Sequence, residues 1–415
     1  MKRLVASFLV LSLSILAGYL ILTLWRGVTL YLSSPSKENF LKAIPFTPSN
    51  PNLYYRLGLY YQWNIESIDL NQSYQYLGQA IERNPLDQRY WLTLAKTLSR
   101  AGDWKSSDRA LEKAVFVFPT GYTGRWTAAN LYLQQGEFEK ALTHFTYVLA
   151  HYPNQSNIVY EVLFKAIQDP DFILTKVVPA NPSSVNQYLN YLYEIGDKGA
   201  VVKAWAKKAS LGYRSDRVET LRHVDFLIFR GALNEASQVW KTRLKEEGLP
   251  VPSEGNLITN GGFEKEKMLG GGFDWKIIPV PGASISFDPA IAFQGKRSLK
   301  ISFNGKENVD YQHLYQVVPW KPDTNYLLRA QMKTEGLTTK SGMKMEVIGV
   351  GPALQGASES LTGDNGWKEV SIAFHTPSQS QGGMIRLRRE KTDKFDRFIS
   401  GSVWFDDVQL TEKRQ

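Results

Sequence analysis

The sequence predicts a multidomain chain: a transmembrane helix, an all-α solenoid of helical repeats and an all-β sandwich. Three observations predict it: an uncharged apolar run near the N-terminus, a 34-residue spacing of proline and glycine, and short alternating strands in the last part of the chain. The predicted parts are a transmembrane anchor (1–27), a juxtamembrane segment with a partial helical unit (28–48), helical repeats (49–247), a linker (248–255) and the β-sandwich (256–411).

Composition narrows the classes of function. The 415 residues contain no cysteine, which excludes disulfides, thiolate metal sites and cysteine nucleophiles. The net charge of +9 is spread unevenly, with five Lys/Arg against one Asp/Glu in residues 1–48 and near balance in the rest. Acidic residues also interrupt the basic cluster at 386–397. A nucleic-acid binder concentrates basic residues on one face, so no nucleic-acid partner is predicted.

The N-terminal segment has the length of a membrane span. Residues 4–25 form an uncharged run of 22 residues after Lys2 and Arg3. At about 1.5 Å per residue this run crosses a bilayer core of roughly 30 Å. The small pair Ala17-Gly18 lies inside the run, which favours an uncleaved single-pass anchor, with a cleaved signal peptide as the alternative. The positive-inside rule places the body on the periplasmic or extracytoplasmic side.

A 34-residue period marks the helical region. Pro85, Pro119 and Pro153 are each 34 residues apart, as are Gly102 and Gly136. The positions Ala95, Ser107, Leu111 and Ala114 recur as Ala129, Ala141, Phe145 and Val148. This pattern resembles the tetratricopeptide repeat, in which small residues let paired helices approach and glycine ends the first helix. The resemblance implies a surface that binds a protein partner.

Beyond Pro153 the period becomes irregular. Asp169-Pro170 and 179–182 break it, and two divergent hairpins follow, at 187–209 and 223–245. Gly196 and Gly231, like Trp205 and Trp240, are 35 residues apart. The sequence therefore predicts about five hairpins, and residues 38–44 form the second helix of a partial first unit.

Residues 256–410 carry a second resemblance. Asn256-Leu257-Ile258-Thr259-Asn260-Gly261-Gly262-Phe263-Glu264 opens the segment, and Val403-Trp404-Phe405-Asp406-Asp407-Val408 closes it. Between them lie Gly272-Phe273-Asp274-Trp275, Gly295-Lys296-Arg297-Ser298-Leu299 and Gly366-Trp367-Lys368-Glu369-Val370. In this order the motifs resemble carbohydrate-binding modules of the family 4, 9 and 22 type, which are jelly rolls. Such jelly rolls also occur as generic galactose-binding-like domains.

The resemblance implies a polysaccharide partner and a structural calcium ion. In the family an aromatic ring and polar side chains of one sheet face contact the sugar. Strand alternation places polar residues outward, and if the strands share one sheet they form one face. The glycan-binding candidates are Tyr311, Tyr315, Arg329, Gln331, Lys344, Glu346, Arg386 and Arg388. An ordinary solvated sheet face is the alternative.

The calcium positions implied by the resemblance are Glu264, the Gly262 carbonyl and Asp406. Carboxylate and backbone oxygens are the hard ligands that calcium requires. The alternative is that both carboxylates only satisfy local hydrogen bonds.

Enzymatic signatures are absent from the sequence. The five histidines form no His-Glu-x-x-His pair, and no phosphate loop or Gly-x-Ser-x-Gly elbow occurs. We therefore expect a non-catalytic scaffold at the cell envelope, with no catalytic cofactor, that binds protein and polysaccharide, in exopolysaccharide assembly or export. A protein-assembly scaffold without glycan binding and a glycan-processing enzyme are the alternatives.

Overall fold

A computed structural model describes residues 2–33, 35–66, 68–253, 255–351 and 354–413. The chain divides into two compact units, Met1–Tyr213 and Arg214–Gln415. The first is all-α, and the second joins one helical hairpin to a β-sandwich.

The first unit consists of helices joined by short turns. They are α1 (Lys2–Ser33), α2 (Lys37–Ala43), α3 (Pro51–Trp63), α4 (Leu70–Arg83), α5 (Gln88–Arg100), α6 (Trp104–Val117), α7 (Tyr122–Gln135), α8 (Phe138–His151), α9 (Ser156–Ile167), α10 (Pro170–Phe172), α11 (Pro182–Ile195) and α12 (Lys198–Ser210). Aspartates begin several of them, as where the Asp87 carboxylate accepts the Arg89 N–H at 3.0 Å. Glycine ends the first helix of a pair, since Gly136 and Gly196 have φ values of 78° and 75°.

The predicted small positions lie where paired helices meet. Ala95, Ala114 and Ala129 are fully buried. The Ser107 hydroxyl donates to the Ala95 carbonyl at 2.9 Å, and Ser73 donates to the Gly58 carbonyl at 2.8 Å in the preceding hairpin. These equivalent bonds hold helices close because neither position carries a bulky side chain. The hairpins α3–α4, α5–α6 and α7–α8 therefore repeat one packing scheme.

The region after Pro153 contains an additional irregular pair. Helix α9 ends where Gln168 adopts a left-handed φ of 54°, and Asp169 then caps the short α10. A five-residue π-helix, Ile173–Val177, follows α10 and buries Ile173 and Val177. The break in the repeat is thus a short helical segment that continues as a π-helix, which is wider than an α-helix, and the divergent pair α11–α12 follows it.

The N-terminal helix has an apolar segment and a packed end. Within the described residues, Ser7–Ser33 is the one helix long and apolar enough to cross a membrane by length and composition, a test that signal sequences also pass. Its last turns contact α2 and the turn that follows, with the Tyr31 and Phe40 rings 6.0 Å apart and the Arg26 guanidinium 4.8 Å from the Phe46 ring. The end of α1 and α2 therefore form the partial first unit.

The second unit contains a helical hairpin and ten strands. Its elements are α13 (Arg217–Phe229), α14 (Leu233–Glu246), β1 (Lys276–Ile277), β2 (Ala283–Asp288), β3 (Ser298–Asn304), β4 (Leu314–Pro319), β5 (Asn325–Leu337), β6 (Lys344–Gly349), β7 (Gln355–Ala357), β8 (Gly363–His375), β9 (Gly382–Arg388) and β10 (Ser400–Glu412). The β9 sheet has the order β1-β4-β9-β6-β7 and the β10 sheet the order β2-β3-β10-β5-β8, with every pairing antiparallel.

The connectivity of the two sheets is that of a jelly roll. From β3 onward the chain crosses repeatedly between the sheets, so sequence neighbours such as β4 and β5 lie in opposite sheets. The inward residues of both sheets share one core, which includes Leu328, Ala330 and Met332 of β5. The alternation predicted for β5 is therefore confirmed.

The last hairpin packs on the sandwich. The Trp240 ring of α14 lies 6.0 Å from the Phe273 ring, and the Gly272 N–H donates to Asp225 of α13 at 2.9 Å. Trp240 and Phe273 belong to an apolar cluster shared by the hairpin and the loop before β1. Residues 249 and 251, in the segment expected to be a linker, also contact that cluster. The sequence assigned this hairpin to the repeats because its glycine and tryptophan follow the 35-residue spacing. Its buried face is covered by the loop before β1.

Candidate functional site

The jelly-roll crossing divides the predicted glycan-binding residues between two sheets. Arg329 and Gln331 lie on β5 in the β10 sheet, whereas the other strand residues lie on β4, β6 and β9 in the β9 sheet. The condition for a single face, that these strands share one sheet, is therefore not met, because alternation within one strand does not reveal which sheet the strand joins. Arg329 instead donates to the Gln409 side chain of β10 at 2.8 Å.

Five of the predicted residues come together on the outward face of the β9 sheet. Tyr315, Arg386 and Glu346 are register partners across β4, β9 and β6, and Arg388 and Lys344 form the next row. Leu314, Ile385 and Met345 alternate with them into the core. We call the surface formed by Tyr315, Lys344, Glu346, Arg386 and Arg388 the charged face.

Glu346 is the centre of the charged face. Its carboxylate accepts hydrogen bonds from Arg386 at 2.8 and 3.0 Å and lies 3.4 Å from the Lys344 ammonium. Only 2% of Glu346 is exposed, so the surrounding cations replace its hydration. Arg386 also donates to the Gln312 side-chain oxygen at 2.7 Å. These contacts fix the long side chains in one arrangement.

Two further carboxylates complete the charge balance of this face. Asp310 accepts a hydrogen bond from Arg388, and Glu390 lies 3.0 Å from the Lys344 ammonium. Burial opposes ionisation of Asp310, but the bond and charge of Arg388 prevail and lower its pKa. Lys344 likewise lowers the pKa of Glu390. Three cations thus face three carboxylates.

Sequence reasoning missed Asp310, Gln312 and Glu390 because they lie in loops beside the strands. Asp310 and Gln312 flank Tyr311 in the segment before β4, and Glu390 follows β9. The sequence could have indicated them, because they lie close to the ends of strands that carry outward arginine and lysine residues. The long side chains of arginine and lysine can reach carboxylates at strand ends.

The two tyrosines predicted to stack on a sugar differ in burial. Tyr311 is fully buried, and its ring packs 5.8 Å from Phe303 in the core, so its assignment as a sugar-stacking residue is wrong. Burial raises the pKa of its phenol. The residue pairs with Arg389 through backbone hydrogen bonds, which turns the ring inward. Tyr315 is half-buried on the charged face and remains a candidate.

An exposed ring in the loop that follows the charged strand β9 was also missed. Phe395 is fully exposed in the loop after β9, at 106% of its reference area. The loop is held to the segment before β4 because Asn308 donates to the Thr392 carbonyl at 2.9 Å, and the Arg389 side chain donates within the loop to the Arg397 carbonyl at 2.9 Å. Phe395 lies between Lys394 and Asp396 in a loop, a setting in which an aromatic ring is seldom core.

The predicted calcium positions lie near the N-terminal end of β3 and on β10. Glu264 accepts the Lys296 N–H at 2.8 Å, and Asp406 accepts the N–H groups of Phe293 at 2.9 Å and Asp407 at 2.8 Å. A methyl group built on Gly262 would lie 3.8 Å from Asp406 Oδ1 and 4.0 Å from Glu264 Cγ. Two carboxylates and nearby carbonyls are hard oxygen donors, so these residues fit calcium.

Burial makes the ionised form of the Asp406 carboxylate unfavourable. It is fully buried, and burial raises its pKa although three backbone N–H groups oppose that change. Among the described residues no group of three or more histidines and carboxylates forms a metal cluster. A cation bound here would therefore depend on backbone carbonyls for the rest of its ligands.

Comparisons with known proteins give partial matches. No protein-family model matches the chain. The tRNA(Glu)-specific nuclease WapA of Bacillus subtilis subsp. natto is 24% identical over 165 residues, 37% of this chain. The tRNA nuclease WapA of Bacillus subtilis strain 168 is 23% identical over 165 residues, also 37% of this chain. This chain spans 7% of the length of each nuclease.

Solved structures with partial similarity include carbohydrate-binding modules. A family 16 carbohydrate-binding module is 24% identical, over 38% of this chain and 100% of the module, with a TM-score of 0.27. A CBM4 module is 13% identical, over 38% of this chain and 99% of the module, with a TM-score of 0.28. The xylan-binding CBM22-1 domain of Paenibacillus barcinonensis Xyn10C is 15% identical, over 34% of this chain and 86% of the domain, with a TM-score of 0.23.

Proposed function

We propose that this protein is a non-catalytic, membrane-anchored scaffold at the cell envelope. Its helical hairpins bind a protein partner and its β-sandwich binds polysaccharide. Assembly or export of an exopolysaccharide is the setting that joins these properties. The observation that carries the proposal is the charged face, where polar side chains and a tyrosine ring are held in fixed positions on an outward sheet surface.

The charged face supports glycan binding through its rigidity. Each cation contacts a carboxylate, so few side-chain rotamers remain to be ordered when a ligand binds. The amide of Gln312 and the ring of Tyr315 border the network and supply neutral contacts. Because positive and negative groups balance, the face suits a neutral polysaccharide better than a strongly acidic one.

The helical unit supports protein binding through a cleft lined by both apolar and charged side chains. A cavity of about 520 Å³ lies between α4, α5 and α6, with Tyr74, Trp91 and Leu98 in its lining. Tyr74 is 52% exposed, and Trp104 and Phe138, which begin α6 and α8 and lie 34 positions apart, are 44% and 50% exposed. Recurring exposed aromatic residues mark a protein-interaction surface. The tetratricopeptide resemblance of residues 49–247 agrees with this role.

The membrane anchor and the calcium ion belong to the same proposal. Helix α1 would span the bilayer, with the body on the extracytoplasmic side; a cleaved signal peptide is the alternative. N-terminal sequencing of the mature protein separates the two. At the second site Glu264, Asp406 and the Gly262 carbonyl would hold calcium, which would neutralise a buried carboxylate and join the first loop of the sandwich to β10.

Affinity electrophoresis of the detergent-solubilised chain through gels containing neutral polysaccharides tests the glycan proposal. We expect retardation, and about a tenfold loss of affinity for Tyr315→Ala, equivalent to about 1.4 kcal/mol. Gln331→Ala on the opposite sheet is the matched control and should behave as wild type. If no neutral polysaccharide retards the chain, the alternative of an assembly scaffold without glycan binding is favoured.

The same polysaccharide panel tests the absence of catalysis. We expect no release of reducing ends by the wild-type chain over extended incubation. Turnover that disappears on replacement of one carboxylate would instead establish a glycan-processing enzyme.

A further inference from the structure

The first helices of three successive hairpins have a one-sided charge. Helices α3, α5 and α7 contain five Lys/Arg and no Asp/Glu. Their partner helices α4, α6 and α8 contain both signs. Alternating helices of a repeat array face different surfaces, so this segregation gives one surface of the helical unit a positive potential.

A cavity lies on these same three helices. It has a volume of about 320 Å³, at the small end of the usual range for ligand sites. Its lining includes two indoles, two cations and two amides, namely Trp63, Lys96, Arg100, Trp126, Asn130 and Gln134. We call this cavity the α5 groove. Its lining residues include no carboxylate.

The cations of the α5 groove are available to a ligand. Lys96 and Arg100 are exposed and form no ion pair with any described residue. The Arg100 guanidinium donates to the Gln62 carbonyl at 2.6 Å and lies 4.9 Å from the Trp63 ring centre. These contacts position the cation without neutralising it. Arg89, in contrast, is paired with Asp87 at 2.6 Å.

We propose that the α5 groove binds an acidic polysaccharide, with uronate carboxylates on Lys96 and Arg100 and a sugar ring against Trp63. Charge complementarity requires an anionic ligand. The indoles and amides favour sugar over an acidic peptide, because each pyranose brings an apolar C–H face and hydroxyl groups together. An acidic peptide segment is rich in charge but poor in apolar area. The Trp63 side chain is 60% exposed beside the Arg100 guanidinium, so a sugar ring can reach the indole.

This site is separate from the charged face and stands without the glycan proposal made for the sandwich. Its ligand class also differs, since the charged face is neutral in sum. The helical unit would then contact protein through the cleft between α4, α5 and α6, and polysaccharide through the α5 groove.

Biolayer interferometry of the full chain in detergent, with immobilised polygalacturonate, tests the proposal. Wild type should bind with an affinity that falls as salt is raised. Lys96→Gln with Arg100→Gln should weaken binding about tenfold and flatten the salt dependence, and Trp63→Ala should weaken it by a similar factor. Lys105→Gln with Lys113→Gln on α6 removes the same charge outside the groove and should change affinity less than about twofold. Lys96→Glu alone guards against loss of folding, because this exposed residue should tolerate the change while the added carboxylate weakens binding further.

Four results would overturn the proposal: no binding of polygalacturonate, equal loss in the α6 control, equal binding of neutral dextran, or equally effective competition by poly-L-glutamate. The last result would mean that the groove takes an acidic peptide. A further outcome is that Tyr315→Ala abolishes polygalacturonate binding while the groove variants bind as wild type does. In that case the groove inference is wrong, and the result supports glycan binding by the sandwich.

Discussion

On the charged face of the sandwich every cation contacts a carboxylate, whereas in the α5 groove Lys96 and Arg100 have no carboxylate partner among the described residues. Glu346 is almost completely buried, while Trp63 and the groove cations are exposed. Charges at the first surface therefore stabilise the fold and shape a neutral site. Charges at the second contribute little to stability and remain available to an anionic ligand. Mutations should distinguish charges that stabilise the fold from charges that are available to bind a ligand.

Replacement of Glu346 should have the largest effect. Glu346→Gln leaves Arg386 and Lys344 without their shared carboxylate in a buried setting, and we expect unfolding to become easier by about 3 kcal/mol. Denaturant unfolding followed by tryptophan fluorescence measures it. Glu335→Gln is the matched control, because this exposed side chain lies 3.8 Å from Lys333 and should cost under about 0.5 kcal/mol. Equal effects of the two variants would contradict the role given to Glu346.

Calcium should produce the next largest effect, because Asp406 is a fully buried carboxylate that no side-chain cation neutralises among the described ion pairs. Free calcium at about a hundredfold above its Kd should stabilise the sandwich by about 2.7 kcal/mol. Differential scanning calorimetry in calcium and in EDTA measures the shift. Glu264→Gln retains an acceptor for the Lys296 N–H but should abolish the shift. Identical melting curves for wild type in both buffers would refute the site.

Acidification should affect the helical unit first. Burial and the neighbouring Arg125 lower the pKa of His144 to about 4. The folded state then binds fewer protons than the unfolded state, so its stability is full above about pH 6.5 and is lost as pH falls toward 4, by about 2 kcal/mol at pH 5. Helical circular dichroism during thermal unfolding measures the loss. His144→Gln should remove the part of the pH dependence between 6.5 and 4.

The sandwich should respond at lower pH. Arg388 lowers the pKa of Asp310, so the stability that this pair contributes is present above the unfolded pKa of about 3.9 and is lost as pH falls through the folded value. A sandwich that loses stability above pH 5 with the same midpoint as the helical unit would contradict this assignment.

The smallest effect is expected in the α5 groove. Lys96→Gln removes an exposed cation without an ion pair, so the free energy of unfolding should change by less than about 0.5 kcal/mol. Thermal unfolding of the variant beside wild type measures it. A loss as large as that of Glu346→Gln would show that Lys96 supports the fold and would remove the contrast between the two surfaces.

Local sequence signals predicted the helical hairpins well. Gly102, Gly136, Gly196 and Gly231 all adopt left-handed φ values between 73° and 81°, at the ends of first helices where the repeat pattern places them. A left-handed C-cap depends on one residue, so it can be predicted locally. The pair formed by α9 and the π-helix escaped prediction, because its packing depends on Ile173 and Val177 finding a buried surface.

The candidate site was predicted only in part. Outward orientation of Arg386, Arg388, Lys344 and Glu346 followed from alternation in each strand. Their separation from Arg329 and Gln331 followed from strand order, which is set by contacts between residues far apart in the chain. The inward turn of Tyr311 had the same cause, since its backbone pairs with Arg389 almost eighty residues later.

The sequence alone determined the fold classes, the repeat period and the apolar N-terminal helix, because each depends on local periodicity or on a motif of adjacent residues. Tertiary structure alone decided which sheet each strand joined, which carboxylates neutralised the arginines and which cations stayed unpaired. It also decided that α13 and α14 pack on the sandwich through Trp240. Those outcomes depend on distances between residues remote in sequence, and burial makes the energies of such contacts large enough to prevail over local pattern.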